Sequence, residues 1–240
     1  MILSDDNFAT IVYAVEQGRK LYDNLNKYIR FVLVMLVAFV LTFLGASLLN
    51  IAAGEPFSPA QVLWIHFLLS APFGVALGFD EETPGLMELA PRRRGESLLT
   101  PAVKLTAGLA GLFIAAASLA IIEIGIHAYN STLIGTSIAF TSFALMLVVA
   151  AHESRSETDT VFTTDSFNSR KMNMIAGIEV LGAILVTQWD FLRRILGTEE
   201  LTARQFGLAL LFAILLLGTW ELGKWIARRR SAPSRPGSGS

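Results

Sequence analysis

Phe31-Val32-Leu33-Val34-Met35-Leu36-Val37-Ala38-Phe39-Val40-Leu41-Thr42-Phe43-Leu44-Gly45-Ala46-Ser47-Leu48-Leu49-Asn50-Ile51 runs from end to end without a charged side chain. A helix of this length covers roughly 30 Å at 1.5 Å per residue, the thickness of a bilayer's hydrocarbon core. Lys27 and Arg30 stand just before it, and Ala52-Ala53-Gly54-Glu55-Pro56-Phe57-Ser58-Pro59, rich in breakers, follows it. Working outward, five more stretches of the same character lie near 60–79, 104–124, 133–151, 172–189 and 206–226. The stretch at 172–189 is the weakest, because Glu179 interrupts it and Gln188, Trp189 and Asp190 close it. The composition agrees: 53% hydrophobic and 16% charged residues over 240 positions is too apolar for an ordinary soluble domain. The reading is an all-α polytopic membrane protein with six transmembrane helices and a cytoplasmic N-terminal helical stalk.

Charge orients the six spans. Of the nineteen Lys and Arg residues, sixteen fall on one side: Arg19, Lys20, Lys27 and Arg30; Arg92, Arg93, Arg94 and Lys104; Arg155, Arg170 and Lys171; and Lys224, Arg228, Arg229, Arg230 and Arg235. The other three, Arg193, Arg194 and Arg204, share one loop on the opposite side. Positive charge is retained on the cytoplasmic side, so both chain ends are expected there, with the plasma (inner) membrane as the location. There are no cysteines, which excludes disulfides and thiolate metal sites. The start, Met-Ile-Leu-Ser-Asp-Asp, lacks the basic region of a signal peptide. The bilayer is the expected partner; no nucleic acid and no cofactor is implied.

Residues 1–30 read as a stalk helix, capped by Asp5, Asp6 or Asn7 and carrying a stripe of Phe8, Val12, Val15, Tyr22 and Leu25. No proline separates it from Phe31, so one helix is expected to run from the stalk into the first span. Residues 31–230 form the membrane domain, and 231–240, with Pro233, Pro236 and a Gly/Ser ending, have nothing to bury and read as disordered. Pro72 lies within the second span, where its ring implies a kink or an unwound turn. Ala107, Gly111 and Ala115 repeat every four residues and offer a face for close helix approach.

Ionisable groups inside a bilayer cost on the order of 2.5–3.5 kcal/mol on insertion scales, so each asks for an explanation. His66 either relays a proton or binds a transition metal, or is a neutral imidazole bonded to its surroundings. Glu179 is protonated, paired or turned to a polar cavity. Glu123 closes the third span at a solvated end, and Glu221 has Lys224 three residues on as a pairing partner. His66, Ser70, Pro72 and Glu179 are the polar or irregular intramembrane candidates.

Several motifs then carry a resemblance. Asp5-Asp6-Asn7-Phe8-Ala9-Thr10-Ile11-Val12, Ala14-Val15-Glu16-Gln17-Gly18-Arg19 and Tyr28-Ile29-Arg30-Phe31 resemble the junction between phosphorylation domain and fifth membrane helix in P-type cation pumps of the calcium/sodium-potassium group. Gln61-Val62-Leu63-Trp64-Ile65 with Ala76-Leu77-Gly78-Phe79 is similar to the sixth helix; Pro91-Arg92 with Glu96-Ser97-Leu98-Leu99 resembles the following loop. Arg155-Ser156-Glu157-Thr158 with Val161-Phe162 resembles the loop before the ninth helix, and Leu201 to Gln205 with Trp220-Glu221-Leu222-Gly223-Lys224 resembles the tenth. By this resemblance the six spans are the pump's helices five to ten. The family's ion ligands would fall at Leu36, Phe39, His66, Leu69 and Ser70, of which only His66 and Ser70 are polar. A hard cation needs several oxygen ligands, mostly charged.

The family's phosphorylation site, nucleotide-binding and dephosphorylation motifs do not occur in these residues, and phosphoryl transfer needs a positioned acceptor and metal. The leading expectation is therefore a non-catalytic, pump-like accessory or assembly domain related to cation transport, not an enzyme on its own. The second is one chain of a split pump, whose catalytic domains and first four helices lie on another polypeptide, so a pump catalytic chain or other membrane subunit is the partner to seek. The third is an independent proton or metal-ion transporter or channel using His66 and Glu179.

Overall fold

The computed structural model describes residues 8–83, 85–88, 99–157, 159–162 and 169–231. The expected caps Asp5, Asp6 and Asn7, the three arginines 92–94 and the tail from 232 lie outside the described residues. Every regular element among those described is helical.

Helix α1 (Phe8–Leu49) is one uninterrupted element of 42 residues, about 63 Å long. Nothing in its sequence breaks it. Asn50 ends it at φ 54°, and Ala52, Ala53 and Gly54 stay at positive φ through the tight turn that follows. Left-handed backbone is ordinary for Asn and Gly but costs an alanine about 1–2 kcal/mol, so this turn is held by its surroundings. Ile51 and Phe57 on either side of it are buried in the core.

The second rod is built in three pieces: α2 (Pro59–Trp64), a π-helical turn (Ile65–Ser70) and α3 (Ala71–Gly78). Ser58 starts it with a capping box, its hydroxyl accepting the Gln61 backbone N–H while the Gln61 side-chain oxygen Oε1 accepts the Ser58 N–H. Pro59 occupies the first helical position, where no N–H is missed. The Ser58 hydroxyl also donates to Leu196 O at 3.1 Å, tying this end to a segment 138 residues away.

Helices α4 (Pro101–Tyr129) and α5 (Thr132–Glu153) form a hairpin, capped by Thr100 and Ser131 and joined through Asn130 at φ 49°. Their approach is close because Gly125 and Gly135 face each other: a Cβ on Gly125 would sit 2.1 Å from Gly135 Cα. Gly111 does the same against α1, where a Cβ would lie 2.9 Å from the Ala38 backbone nitrogen. With Ala107 and Ala115 also buried, the small-residue face of the third span is the α1–α4 contact.

Helix α6 (Arg170–Gln188) breaks at Trp189, and α7 (Asp190–Leu196) leaves it at 86°. The fifth hydrophobic stretch is thus a straight helix followed by a sharp turn; the Thr198 hydroxyl, bonded to Val186 O, and Gln188, donating to Leu201 O at 2.8 Å, brace it. Helix α8 (Ala203–Ser231) closes the bundle. Among the described residues, five helices are long and apolar enough to cross a membrane, or six if the bent pair counts as one span.

Helix α5 is the centre of the bundle and α8 its margin, since 72% of the apolar window is buried in the first and 17% in the second. Phe31, Ile65, Leu69, Phe73, Ile121, Ile138, Phe140 and Phe143 fill the core. Leu36, Val40, Leu44 and Leu48 point outward at four-residue spacing and are half exposed or more. Such an apolar exterior around a packed apolar interior has lipid as its solvent, which makes this an all-α polytopic membrane protein.

Candidate functional site

The irregular second rod is where the polar candidates meet. Pro72 carries no N–H and its ring excludes the carbonyl four residues back, so an α register cannot run through it undisturbed. The wider turn before it absorbs the mismatch: the Ala71 N–H donates to His66 O, five residues earlier. The Ser70 hydroxyl donates to Ile65 O at 2.8 Å, and its oxygen lies 2.6 Å from Met35 Sδ on α1. His66 Nδ1–H donates to Val62 O at 2.9 Å, and its ring meets Phe39 edge-on with centroids 4.9 Å apart. Phe39 in turn packs on Phe43.

The structure therefore brings Phe39, His66 and Ser70 to one α1–second-rod contact, while Leu69 is buried in the core. Leu36 is not among them, for it is 51% exposed on the outer surface of α1. Glu179 is buried on α6, and no hydrogen bond or ion pair to it occurs among the described residues. No group of three or more His, Cys, Asp or Glu able to hold a metal occurs among them either. The chemistry of the mid-bundle contact is that of one imidazole and one hydroxyl, both bonded to carbonyls of their own rod.

The charged machinery sits elsewhere, at the basic end of the bundle. Asp80, just past α3, is buried to 2% exposure and binds two cations. Arg155 reaches it twice, Nε to Oδ2 at 2.8 Å and Nη2 to Oδ1 at 3.2 Å, from the segment after α5. Lys27 of α1 lies 3.3 Å from Oδ2 and also 3.1 Å from Asp23, and it donates to Glu81 O at 2.7 Å. Asn24 adds a bond to Asp80 O at 2.9 Å, and Asp23 accepts the Thr83 hydroxyl at 2.7 Å. Burial pushes the Asp80 carboxyl up, but the Arg155 hydrogen bond and the Lys27 and Arg155 charges outweigh it and hold the group below the ordinary carboxylate value.

A second buried pair lies beside the first. Lys224 of α8 stands 2.7 Å from Glu153 Oε2, both side chains at most 4% exposed, and donates to Asp159 O at 3.0 Å. Sequence spacing pairs Lys224 with Glu221, one turn away. The structure instead gives Glu221 to the Val161 N–H at 2.6 Å, because Lys224 points inward to the end of α5. Lys27 and Arg155 were legible only as topogenic charges, and Asp80 and Glu153 carried no reading of their own. The available signal was Asp80 directly after Ala76-Leu77-Gly78-Phe79, an acid at a span's end facing a cluster of cations.

The architecture, a long stalk helix entering a bundle around a proline-interrupted second rod, has a match among known proteins. The family model described as "Cation transporting ATPase, C-terminus" matches residues 54–226. The chain belongs to that family. Beyond the family match, similarity reaches into the stalk: "Calcium-transporting ATPase 1" of Schizosaccharomyces pombe is 29% identical over 230 residues, 96% of this chain and 25% of the relative. "Calcium-transporting ATPase 1" of Bacillus cereus is 30% identical over 239 residues, 93% of this chain and 27% of the relative. Human "Calcium-transporting ATPase type 2C member 1" is 28% identical over 202 residues, 84% of this chain and 22% of the relative. The chain thus spans about a quarter of the length of these relatives. As a cation-transporting ATPase C-terminal bundle, it places its buried ion pairs at the basic end and its apolar and aromatic contacts at mid-depth, with Glu179 on α6 a buried acid outside that end.

Proposed function

We infer that this bundle serves cation transport as a structural element, offering no carboxylate at the ligand-equivalent positions of its first two rods. The observation that carries the reading is the set of side chains at the ligand-equivalent positions. Leu36, Phe39 and Leu69 offer no oxygen, and His66 and Ser70 spend their donors on backbone carbonyls of their own rod. Calcium takes six to eight oxygen ligands, several of them charged, so these residues do not build such a site. Residues 1–30 act as the cytoplasmic stalk, 31–230 as the membrane domain, and both ends face the cytoplasm of an inner membrane; the basic asymmetry supports that orientation. The test is equilibrium calcium binding to the purified chain, with phosphoenzyme formation measured in parallel. Saturable binding is expected to be absent below about 10⁻⁵ M, the weak end of sensor affinities. Micromolar binding that disappears in Ser70→Ala or Glu179→Gln, or a vanadate-sensitive phosphoenzyme formed by the chain alone, refutes the reading.

A second reading has an observation of its own. Ile11, Val12, Tyr13, Val15, Leu21 and Leu25 on the stalk are all more than a third exposed, with Leu21 at 69%. Apolar side chains on a segment that stands clear of the bundle call for cover, and the pump resemblance supplies it as the catalytic domains of a partner polypeptide. Co-purification from native membranes with a protein bearing a phosphorylatable aspartate supports the split pump. Recovery of the chain without one, under conditions that preserve other membrane complexes, counts against it.

A further inference from the structure

Helix α6 starts at the basic end with Arg170 and reaches Gln188 in 19 residues, roughly 28 Å at 1.5 Å per residue. That is close to the full hydrocarbon core of about 30 Å, so α6 covers it alone. Met174, Ile178, Leu181 and Ile184 form its exposed apolar stripe, part of the lipid-facing exterior of the bundle. At its far end Trp189 is extended, with φ −96° and ψ 116°, and α7 departs at 86°. A helix that leaves a spanning helix at a right angle, where the core ends, runs along the membrane surface.

Bonds at both ends hold α7 in that direction. The Trp189 N–H donates to Leu185 O at 2.9 Å, and Leu196 O accepts the Ser58 hydroxyl from the start of the second rod. Gly197, at φ 64°, then turns the chain so that Thr198 is buried and bonded to Val186 O. Successive helical residues turn by about 100°, which divides the seven residues into three faces. Leu192 and Leu196 pack on the bundle. Phe191 and Ile195 are 59% and 54% exposed, and Trp189, with its ring centroid 5.6 Å from that of Phe191, extends their face. Asp190 and Arg194 form the third face, paired at 2.8 Å, and Arg193 reaches Asp190 at 2.6 Å and Glu200 at 3.3 Å. Protein, apolar and charged faces on one short helix fit the line where bundle, hydrocarbon and water meet.

We propose that α7 is an interfacial anchor, lying in the plane of the leaflet opposite the basic end. Trp189, Phe191 and Ile195 enter the boundary between acyl chains and headgroups, while Asp190 and Arg194 stay among headgroups and water. The occupant of the apolar face is lipid for two reasons. The face begins where the lipid-facing stripe of α6 ends, with Trp189 at the junction, and an indole suits a position with one apolar and one wet side. Its three side chains also expose too little for a protein partner: roughly 400 Å² between them, against about 800 Å² buried by each partner in a stable interface. Because α7 is bonded to both α6 and the second rod, the anchor fixes the depth of the bundle's outer end. The proposal rests on the membrane character of the fold and on neither calcium nor a catalytic partner, so it fails separately from the proposed function.

Spin-label depth measurements on the full chain test it. The chain has no cysteine, so Phe191→Cys, Arg194→Cys and Ile195→Cys each carry a single nitroxide at an exposed position. Each variant is reconstituted in phosphatidylcholine–phosphatidylglycerol vesicles, and its collision rates with oxygen, which concentrates in hydrocarbon, and with a water-soluble nickel chelate are compared. Oxygen is expected to dominate at 191 and 195 and the chelate at 194. Depths at 191 and 195 should agree to within about 2 Å, allowing a tilt of roughly 20° for α6, because α7 lies in the plane. Were α7 to continue the span, these two sites would differ by about 6 Å, four residues at 1.5 Å each, and that result overturns the proposal. Chelate access at 195 equal to that at 194 places α7 in water and overturns it too. Exclusion of both reagents from 191 and 195 shows a protein cover in place of lipid, with the same consequence.

Discussion

Asp80→Ala removes the centre of the clamp at the basic end, and the structure sets its cost. The carboxylate is 2% exposed and is the shared partner of Arg155, 11% exposed at its side chain, and Lys27, 4% exposed. Taking one member out of a buried ion network leaves uncompensated charge and typically costs about 3–5 kcal/mol. Lys27 keeps Asp23 at 3.1 Å and Glu81 O at 2.7 Å, whereas Arg155 loses both of its bonds to the carboxylate. The loss is therefore expected at the lower end, about 3 kcal/mol, which for a chain of this size lowers the melting temperature by roughly 6–12 °C. Thermal unfolding of the purified protein in one detergent, followed by circular dichroism, reads it. The cycle with Arg155→Met should show a coupling of at least about 1 kcal/mol, because the two side chains share one interaction. A loss below about 0.5 kcal/mol, or strict additivity with Arg155→Met, refutes the assignment of Asp80 as the centre of this end.

The same group predicts an acid limb. The folded chain holds Asp80 ionised below the ordinary carboxylate pKa, so the unfolded chain binds its proton more readily and acid favours unfolding. The contribution is complete above pH ~4, the unfolded value, and is lost as pH falls through the lower folded value. Wild-type protein should lose stability more steeply than Asp80→Asn as pH falls below ~4, and parallel curves contradict this.

Three further changes follow from packing and charge. Gly125→Ala puts a Cβ 2.1 Å from Gly135 Cα, with backbone on both sides, so loss of about 3 kcal/mol or failure to accumulate is expected, read by folded yield and melting. Gly108→Ala, on the same helix with nothing within 4 Å, should instead be neutral or gain up to about 1 kcal/mol from helix propensity, and a loss there contradicts the exposure of that face. Lys224→Met leaves Glu153 buried without its ammonium and should cost about 3–5 kcal/mol, while Lys224→Met with Glu153→Leu recovers most of it; a double variant no more stable than the single would show that the pair does not act as a unit.

The fold class was legible because lipid-spanning helices announce themselves by length and by charge placement, and no tertiary contact is needed to see either. The small-residue face of α4 was legible for a related reason, since Ala107, Gly111 and Ala115 lie on one face by helical period alone, but its partner α1 was not. The π turn was not. Pro72 signals a disturbance, but whether a helix answers with a kink, an unwound stretch or a wider turn depends on what packs against it, here Met35 beside Ser70 and Phe39 beside His66. Nor was the 86° break at Trp189, since the bracing bonds tie α6 to Thr198 and Leu201, in a loop whose position the sequence does not encode locally.

The division of polar groups along the bundle explains why the site positions were the hardest to read. At mid-depth, hydroxyls mostly bond within their own helix: Thr42 to Ala38 O at 2.7 Å, Ser118 to Ile114 O at 2.8 Å and Thr141 to Ser137 O at 2.9 Å. These bonds satisfy the group without joining two helices, so the middle of the bundle is held chiefly by shape, and Ser142 donating to Ala209 O at 3.1 Å is a departure from that pattern. At the basic end every buried charge joins different elements: Lys27 on α1 to Asp80 after α3, Arg155 after α5 to the same acid, and Lys224 on α8 to Glu153 on α5. A substitution in the middle is therefore answered by repacking, whereas one at the basic end strands a charge. By that asymmetry the stability of the bundle is expected to be most sensitive to side-chain loss at the basic end, around Asp80 and Glu153.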